Sequence, residues 1–316
     1  MKIKIVYANT KTYGGVKAYA MNLYSDMQKS LNVKLCPIPR FEISLHGKKL
    51  GGWTTQRLLS WTVGSADIVH STSYANLVPH TNVVTIHDLY PFLNLIPGDT
   101  KRKKYDSKNL TKANSMKMVV AQSPIIEEQI RQFIHDVPIT VIPSKIFVDK
   151  PTKNPYPEDN KIHLLTMGNI QLENDRKQIY DLYEWVKRLN NVDLYHIGFV
   201  FNKNYINYSK NIHLLGQVDQ QTKFNYLAYA DKYVLKTIGE GQGYPTMEAM
   251  RLNTQTIVND LPEHRFFLGD KPYYFHNKEE FVDMIYKPKK SGLVEQITQY
   301  DNWILKYKKM YEEILK

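Results

Sequence analysis

Short apolar runs of strand length alternate with segments of helical spacing along the chain, and this alternation limits the folds that it can adopt. In the first half, residues 3–8 predict a strand, and residues 16–29 predict a helix because their apolar positions recur every three or four residues. Further strands are predicted at 33–37, 68–70, 83–86, 118–121 and 140–143, with a helix at 123–134. Such alternation favours a mainly parallel sheet with helices on both faces.

The same pattern restarts after a proline-rich, polar segment at residues 150–160, which we interpret as an inter-domain linker. Strands are predicted at 163–167, 193–198, 212–216, 232–235 and 255–258, and helices at 178–189, 222–230 and 245–252. We therefore predict an α/β protein of two Rossmann-like, doubly wound domains, 1–149 and 161–299. Residues 300–316 are predicted to form an amphipathic helix that packs back on the first domain. Ligands bind at the carboxyl ends of strands in such sheets, so we expect the site in the cleft between the domains.

Composition excludes several classes of protein. With 42% hydrophobic and 23% charged residues the chain is of ordinary globular type, which excludes disorder. Its single cysteine, Cys36, cannot form an internal disulfide or build a zinc site alone. No apolar run approaches the roughly 20 residues of a spanning helix, and the N-terminus lacks a secretory pattern. We therefore expect a cytoplasmic protein.

The positive charge of the chain is concentrated in its first half. The net charge is +11, and residues 1–150 contain 20 lysine and arginine residues against 10 acidic ones, with the densest run at Lys101-Arg102-Lys103-Lys104. A basic half attracts phosphate groups on an anionic substrate or lipid, although a solvated face that only aids solubility explains the charge equally well. No nucleic-acid partner is expected, because the sequence has no RNP, zinc-finger or basic-zipper motif.

The strongest local signal is the segment Glu240-Gly241-Gln242-Gly243-Tyr244-Pro245-Thr246-Met247-Glu248-Ala249-Met250. Its two glycines allow a tight turn after the predicted strand 232–235, and Pro245 suits the first position of a helix. A helix N-terminus is a ready anion site, so we expect a phosphate or pyrophosphate over residues 243–246. Glu240 and Glu248 are good acceptors for sugar or ribose hydroxyls. The alternative is a glycine-rich turn with two surface glutamates.

This segment resembles the E-x7-E signature of the retaining family 4 glycosyltransferases, which have the two-domain GT-B fold. The resemblance covers nearly the whole chain. Similar landmarks are Gly14-Gly15-Val16, Asp67-Ile68-Val69-His70-Ser71, Thr85-Ile86-His87-Asp88, Val119-Val120-Ala121-Gln122-Ser123 and Leu214-Leu215-Gly216-Gln217-Val218. The chain departs from the family where Gly168-Asn169 is followed by a longer loop before Arg176-Lys177. It also has Ser144-Lys145 where the family usually has Asn-Gly.

The resemblance implies transfer of a sugar from a nucleotide diphosphate sugar, with retention of anomeric configuration, to a glycan, lipid-linked or protein-linked acceptor. It implies a UDP-sugar ahead of a GDP-sugar as donor, and no cofactor. Arg176 and Lys177 would then stabilise the leaving diphosphate. Glu240 would hold donor-sugar hydroxyls, Glu248 the ribose hydroxyls, and His87 the donor sugar from the first domain. Further donor-binding positions are Gly14, Gly15, Gly168, Gly241, Gln242, Gly243, Tyr244, Pro245 and Thr246. The alternative for His87 is a satisfied histidine at the end of a buried strand.

No metal site is predicted, because the chain has no Asp-x-Asp pair of the kind that holds a divalent cation on a diphosphate. We expect the acceptor on the first domain, near residues 14–19 and the basic run. Aromatic, apolar and basic residues together suggest a membrane-associated acceptor and peripheral contact with an anionic membrane, unless they are core residues of an ordinary helix. These residues are Lys48, Lys49, Trp53, Arg57, Leu58, Leu59 and Trp61.

Other functions are left open by the sequence. They are a nucleotide-sugar epimerase of the same fold, a non-catalytic nucleotide- or glycan-binding protein, and a nucleic-acid binder that uses the basic half. A dinucleotide-binding domain of the NAD type is disfavoured, since Gly14-Gly15 is not followed by the full G-x-G-x-x-G pattern. The oligomeric state is not predicted.

Overall fold

A computed structural model describes residues 1–9, 15–39, 43–45, 48–50, 60–89, 92, 107–170, 176–200 and 209–316. These residues divide into two compact units. Unit 1 contains the described residues up to Ser144 together with Asn302–Lys316, and unit 2 contains Lys145–Asp301. Among the helices in these ranges, none has the length and apolar character that a membrane span requires.

The described strands of unit 1 form a six-stranded parallel sheet. They are β1 (Lys2–Asn9), β2 (Asn32–Pro39), β5 (Ile68–Ser71), β6 (Val83–Ile86), β7 (Met118–Ala121) and β8 (Ile139–Val141), while β3 (Ile43–Leu45) and β4 (Lys48–Leu50) pair as a short antiparallel hairpin. The strand order is β2-β1-β5-β6-β7-β8. Strands β5 and β6 are buried at every position, as expected of parallel strands that are covered on both faces.

Unit 1 includes the helices α1 (Gly15–Met27), α2 (Pro124–Arg131) and α9 (Trp303–Ile314), the last of the chain. Helix α9 buries Trp303, Tyr307 and Tyr311, which repeat every four residues and so share one face. The Trp303 ring N–H donates to Asp26 Oδ2 at 3.1 Å, and the Tyr311 hydroxyl lies 2.7 Å from His70 Nδ1. The helix is therefore held in unit 1 by satisfied polar groups as well as by apolar area.

Unit 2 contains a second six-stranded parallel sheet among its described residues. Its strands are β9 (Ile162–Met167), β10 (Val192–Ile197), β11 (Ile212–Gly216), β12 (Lys232–Leu235), β13 (Gln255–Asn259) and β14 (Tyr273–Phe275), in the order β11-β10-β9-β12-β13-β14. Counted from β9, this is the order 3-2-1-4-5-6 of a doubly wound sheet, whose switch point lies between β9 and β12. The prediction of two parallel α/β sheets is confirmed.

The helices of unit 2 are α3 (Ile179–Val186), α4 (Gln220–Tyr229), α5 (Tyr244–Arg251), α6 (Pro262–Leu268), α7 (Lys278–Ile285) and α8 (Leu293–Thr298). Sequence patterning predicts α3, α4 and α5 but misses β14 and the last three of these helices, which are short. Two apolar clusters fill the unit, one around Phe224, Tyr233 and Phe267 and the other around Val234, Ile257 and Phe281.

Residues 150–160, interpreted from sequence as a linker, pack against unit 2. Tyr156 is buried in its core, and its hydroxyl donates to the Tyr226 carbonyl at 2.9 Å. The Thr152 N–H donates to Asn225 Oδ1 at 2.8 Å. The prolines keep the segment out of helices and strands, but its aromatic side chain and backbone polar groups still have partners in the unit.

Candidate functional site

The site residues predicted in the second half lie at the carboxyl edge of the unit 2 sheet. Gly168 follows β9, and Glu240 lies in the loop that follows β12. These strands are neighbours, and they flank the switch point where the chain leaves the sheet in opposite directions. Helices α3 and α5 also begin at this edge, because each follows one of these strands in the chain.

Glu240 is buried next to two basic side chains. It is 6% exposed, with Oε1 3.3 Å from Lys177 Nζ and Oε2 3.6 Å from Arg176 Nη1. Burial by itself raises the pKa of a carboxyl, but the attraction of Lys177 and then Arg176 outweighs it and lowers the pKa of Glu240. The side chain is therefore a carboxylate at neutral pH, surrounded by cations rather than by water.

The turn that carries Arg176 and Lys177 is fastened to the loop after β12. The Arg176 guanidinium donates to the Gly239 carbonyl at 2.7 Å. The Arg176 carbonyl accepts from the Ile238 N–H at 2.9 Å and from the Thr237 hydroxyl at 3.1 Å. Gln178, which directly follows Lys177, has φ +40° in the left-handed region, and this conformation costs about 1 kcal/mol or more for a residue with a side chain. These contacts hold the two cations against the carboxylate.

Gly168 is required by the close approach of the lysine. A Cβ at Gly168 would lie 2.5 Å from Lys177 Cδ, well inside van der Waals contact. The Gly168 carbonyl accepts a hydrogen bond from His196 Nε2 at 2.6 Å, and His196 Nδ1 accepts from the Tyr183 hydroxyl at 2.5 Å. Burial lowers the pKa of His196 to about 4, so this histidine is neutral and its tautomer follows from its partners. Gly168 thus lets the Lys177 chain cross the end of β9.

Glu248 lies on α5 and has a partner that the sequence does not indicate. It is 8% exposed, and its Oε1 is 2.8 Å from Lys223 Nζ on the neighbouring helix α4. Burial raises the pKa of Glu248, and Lys223 only partly offsets this rise. Both Glu240 and Glu248 act electrostatically on the buried Tyr233 hydroxyl, whose pKa is raised first by burial and then by these two charges. Neither glutamate is therefore a surface residue.

The turn between Glu240 and α5 has the backbone form expected of a glycine-rich helix start. Gly243 adopts φ +71°, ψ +49° at the N-cap, and Pro245 stands in the first turn. The Thr246 and Met247 N–H groups donate to the Gly243 carbonyl at 3.0 and 3.1 Å. The amide of Thr246 thus has a partner within the helix, and its contact with a phosphate stays a prediction. Gly241 and Gln242 are buried, whereas Tyr244 is half-buried.

His264, on α6, is a second residue that the sequence analysis does not assign to the site. It is 2% exposed, and its Nδ1–H donates to the Asn259 carbonyl at 2.8 Å. Asn259 in turn bonds both backbone groups of Thr237, at 3.0 and 2.8 Å. His264 lies close enough to Glu240 to contribute to the lowered pKa of that carboxyl. It could be found only from the fold, because α6 follows a strand on the far side of β12.

The site residues predicted in the first half belong to unit 1. His87 follows β6, donates from Nε2 to the Thr72 carbonyl at 2.9 Å, and packs edge-on against Tyr19 at 4.7 Å between ring centroids. Burial lowers the pKa of His87 to about 4, so the ring is neutral. Gly15 begins α1, while Gly14 lies outside the described residues.

The basic run and the segment predicted to contact a membrane are described only in part. Trp61 is 73% exposed, so it is not a core residue. Trp53, Arg57, Leu58, Leu59 and the run at 101–104 lie outside the described residues, as do the side chains of Lys48 and Lys49.

No protein-family model matches the sequence, and curated protein sequences yield no match either. Solved structures do match. Sucrose-phosphate synthase from Thermosynechococcus elongatus has a TM-score of 0.76 at 13% identity, with 99% of each chain covered. WaaG, a glycosyltransferase involved in lipopolysaccharide biosynthesis, has a TM-score of 0.68 at 14% identity, covering 99% of this chain and 94% of its own. Anabaena HepE, solved with UDP and glucose, has a TM-score of 0.69 at 12% identity, with 99% of each chain covered. Together with the two parallel sheets, this likeness shows that the chain has the GT-B fold.

Proposed function

We propose that the protein transfers a sugar from a nucleotide diphosphate sugar to a glycan or lipid-linked acceptor, with retention of anomeric configuration and without a metal on the diphosphate. The observation that carries this proposal is the buried carboxylate of Glu240 between Lys177 and Arg176, at the switch point of a doubly wound sheet. Such crevices are where nucleotides bind in folds of this class.

The charge balance of the site favours an anionic ligand. Three cations, Arg176, Lys177 and Lys223, face two carboxylates, Glu240 and Glu248. A diphosphate brought to the start of α5 would add negative charge beside these three cations and at the positive end of the helix dipole. Charge that grows on the leaving diphosphate would be stabilised by groups already in place, so that no reorganisation is needed during reaction.

The two glutamates would orient the sugars. The lowered pKa of Glu240 keeps it ionised, and an ionised carboxylate accepts strong hydrogen bonds from hydroxyls. We assign Glu240 to the donor sugar and Glu248 to the ribose, with Gly168 and residues 241–246 against the diphosphate; the donor contacts of His87 and Gly15 stay predictions. HepE is bound to UDP and glucose, which supports a UDP-sugar as the donor here.

Donor binding is the first test. Thermal shift with UDP, GDP, ADP and their sugar conjugates should single out one base, because a ligand at about 100 times its Kd stabilises the fold by about 2.7 kcal/mol. Lys177→Met should abolish that shift, measured against the variant's own Tm without ligand. Lys187→Met is the matched control, since Lys187 pairs only with Glu184 within the described residues around α3. Equal shifts in the two variants contradict the diphosphate assignment.

Turnover is the second test. Glu240→Gln should lower kcat by roughly 100-fold or more, the cost typical of removing one group that stabilises a transition state. Glu184→Gln is the control for a surface carboxylate. Activity should survive excess chelator at a temperature where the protein stays folded, and full loss that manganese restores would overturn the metal-independent mechanism. Proton NMR of the first-formed product should show the donor's anomeric configuration, and conversion of the donor without acceptor would instead favour an epimerase.

Contact with an anionic membrane is proposed on the exposed Trp61 and the basic first half of the chain. Sedimentation at low salt should recover more protein with anionic than with neutral vesicles, and Trp61→Ala should reduce the difference. Equal recovery with both vesicles contradicts the contact.

A further inference from the structure

A cluster of histidines and aspartates lies at the opposite edge of the unit 2 sheet from the site described above. His163 is the second residue of β9, Asp193 is the second residue of β10, and the two are partners in the parallel register. Strand β9 has six residues, so the cluster is separated from Gly168 by roughly 17 Å. It therefore takes no part in the chemistry proposed for the carboxyl edge.

Donor atoms from three segments converge in this cluster. One donor atom each from Asp159, His163 and Asp193 lie within 4.8 Å of one another. His163 Nε2 is 3.1 Å from Asp159 Oδ1, and on the other side His213 Nε2 is 3.1 Å from Asp193 Oδ2. Zinc bonds of about 2.0–2.2 Å to nitrogen and oxygen in a tetrahedral site place neighbouring ligand atoms about 3.3 Å apart. The spacing of the His163 and Asp159 donor atoms is thus close to that of two ligands around one ion.

The histidine nitrogens are not used by hydrogen bonds. His163 is 7% exposed, and its Nε2 is fully buried without a hydrogen-bond partner among the described residues, although Asp159 is only 3.1 Å away. The same holds for Nε2 of His213, beside Asp193. The ring nitrogens and carboxylates approach closely but are not aligned for N–H donation. A buried lone pair in that position is arranged for a cation rather than for a proton shared with the carboxylate.

Aromatic packing holds both imidazoles in place. Tyr156 stacks on His163 at 4.9 Å with an interplanar angle of 9°, and Tyr195 stacks on His213 at 4.4 Å and 19°. Asp193 is 3% exposed at the start of its strand, so its carboxylate is also fixed. Ligands that are already oriented lose little conformational freedom on binding a metal.

The local charge favours a cation as well. A third carboxylate, that of Asp231, adds to those of Asp159 and Asp193, and it accepts a hydrogen bond from the His163 backbone N–H at 2.7 Å. Against these three carboxylates stands Lys161, whose Nζ lies 3.0 and 3.1 Å from the two oxygens of Asp193. The Lys161 side chain is 41% exposed, so it can leave the carboxylate for solvent when a divalent ion takes its place. Lys161 therefore competes with a metal ion for the Asp193 carboxylate and is not itself a metal ligand.

We propose that Asp159, His163 and Asp193 form a binding site for Zn²⁺ or a similar borderline transition-metal ion that ties the loop before β9 to strand β10. An imidazole nitrogen with two carboxylates suits this class of ion, whereas Mg²⁺ and Ca²⁺ prefer oxygen alone. The site is structural. It departs from the sequence-based expectation of no metal site, which rested on the absence of an Asp-x-Asp pair.

The test is a Zn²⁺ titration of tag-free, chelator-treated protein, followed by calorimetry and thermal shift. Wild type should bind one Zn²⁺ per chain and unfold at a higher temperature with Zn²⁺ than without. His163→Gln should weaken binding by more than about 10-fold, the loss seen even for an outer-shell partner. The matched control is His276→Gln, which removes a histidine that also lies beside two carboxylates, 3.4 Å from Asp260 and 3.0 Å from Glu280, but on the surface.

Two further variants keep the proposal falsifiable if His163→Gln fails to fold. Asp159→Asn changes a ligand on a partly exposed loop and should also weaken Zn²⁺ binding, whereas Lys161→Met should strengthen it. Wild-type protein that is folded and binds no Zn²⁺, or His163→Gln and Asp159→Asn that bind as wild type does, would overturn the site. Glu240→Gln should keep Zn²⁺ binding while losing transfer, so failure of this proposal is distinguishable from failure of the proposed enzyme activity.

Discussion

Replacement of Lys177 by methionine tests the electrostatics on which the candidate site depends. The change keeps the length of the chain that crosses Gly168 but removes the charge 3.3 Å from Glu240. At an effective dielectric constant of about 20, that pair is worth roughly 5 kcal/mol and the Arg176 pair at 3.6 Å roughly 4.6 kcal/mol, before the cost of burial is subtracted. The two cations together outweigh burial, since the pKa of Glu240 is lowered.

Without Lys177, we expect Arg176 alone to be insufficient. Removing one partner of a buried pair costs about 3–5 kcal/mol, and the remaining arginine places Lys177→Met at the lower end, about 3 kcal/mol. For a domain of this size the loss corresponds to a fall in Tm of roughly 6–12 °C. Glu240→Gln in the same chain should restore most of the lost stability, because no uncompensated carboxylate then remains buried.

The pH dependence of the free energy of unfolding tests this electrostatic reasoning. In the wild type the folded pKa of Glu240 lies below its unfolded value, so the pairing stabilises the fold above pH of about 4.3 and is lost as pH falls through the folded pKa. In Lys177→Met the folded pKa should rise above that value, so the charged form destabilises the fold as pH rises. Denaturant unfolding should therefore give a smaller difference between wild type and variant near pH 4 than at pH 7, where the difference is full. Equal differences at both pH values, or a double variant no more stable than Lys177→Met, would refute the reasoning.

Two other predictions concern the scaffold. Gly198→Ala should destabilise the fold by about 3 kcal/mol or more, because a Cβ there would overlap the Gly168 carbonyl oxygen. Gly216→Ala should cost only about 1–2 kcal/mol, because Gly216 has φ +67° but open space around its Cβ. Denaturant unfolding of the two variants measures the difference. His70 is buried and neutral, its pKa lowered to about 3 first by burial and then by His87. The unfolded state therefore binds the extra proton, and stability should fall by up to about 1.4 kcal/mol per pH unit as pH drops from about 6.5; a His70→Gln chain that shows the same slope contradicts this.

Much of the fold is predictable because its signals are local. The runs that form β5, β6 and β12 each contain adjacent apolar residues and are buried at every position, as is typical of parallel strands covered on both faces. Strand β14 and helices α6 and α8 are not predicted, since they have three to seven residues and their apolar positions are too few to define a period. The short hairpin of β3 and β4 is missed for the same reason. Helix α7 is also missed, although its eight residues equal the length of α3 and α5.

The candidate site, like the fold, is predictable from the sequence only in part. The segment from Glu240 to Pro245 is visible because glycines, a proline and a carboxylate stand in one short stretch, and the turn at Gly243 has the left-handed backbone that this pattern predicts. Lys223 and His264 are invisible, since each reaches the site from a different helix whose neighbours the sequence does not specify. The roles assigned to these residues stay predictions until donor binding is measured.

The sequence by itself determined most of the strands and the helices that border the site, where the second sheet begins, and which loop carries the two glutamates, because backbone preferences and apolar periodicity act over a few residues. Only the tertiary structure decided which charges meet. It brought Lys177 and Arg176 to Glu240, gave Glu248 the lysine of α4, and aligned His163 with Asp193 through the register of two strands that lie thirty residues apart in the chain. Coulomb energy and desolvation depend on distance in space and on burial, and neither quantity is written in the order of the residues.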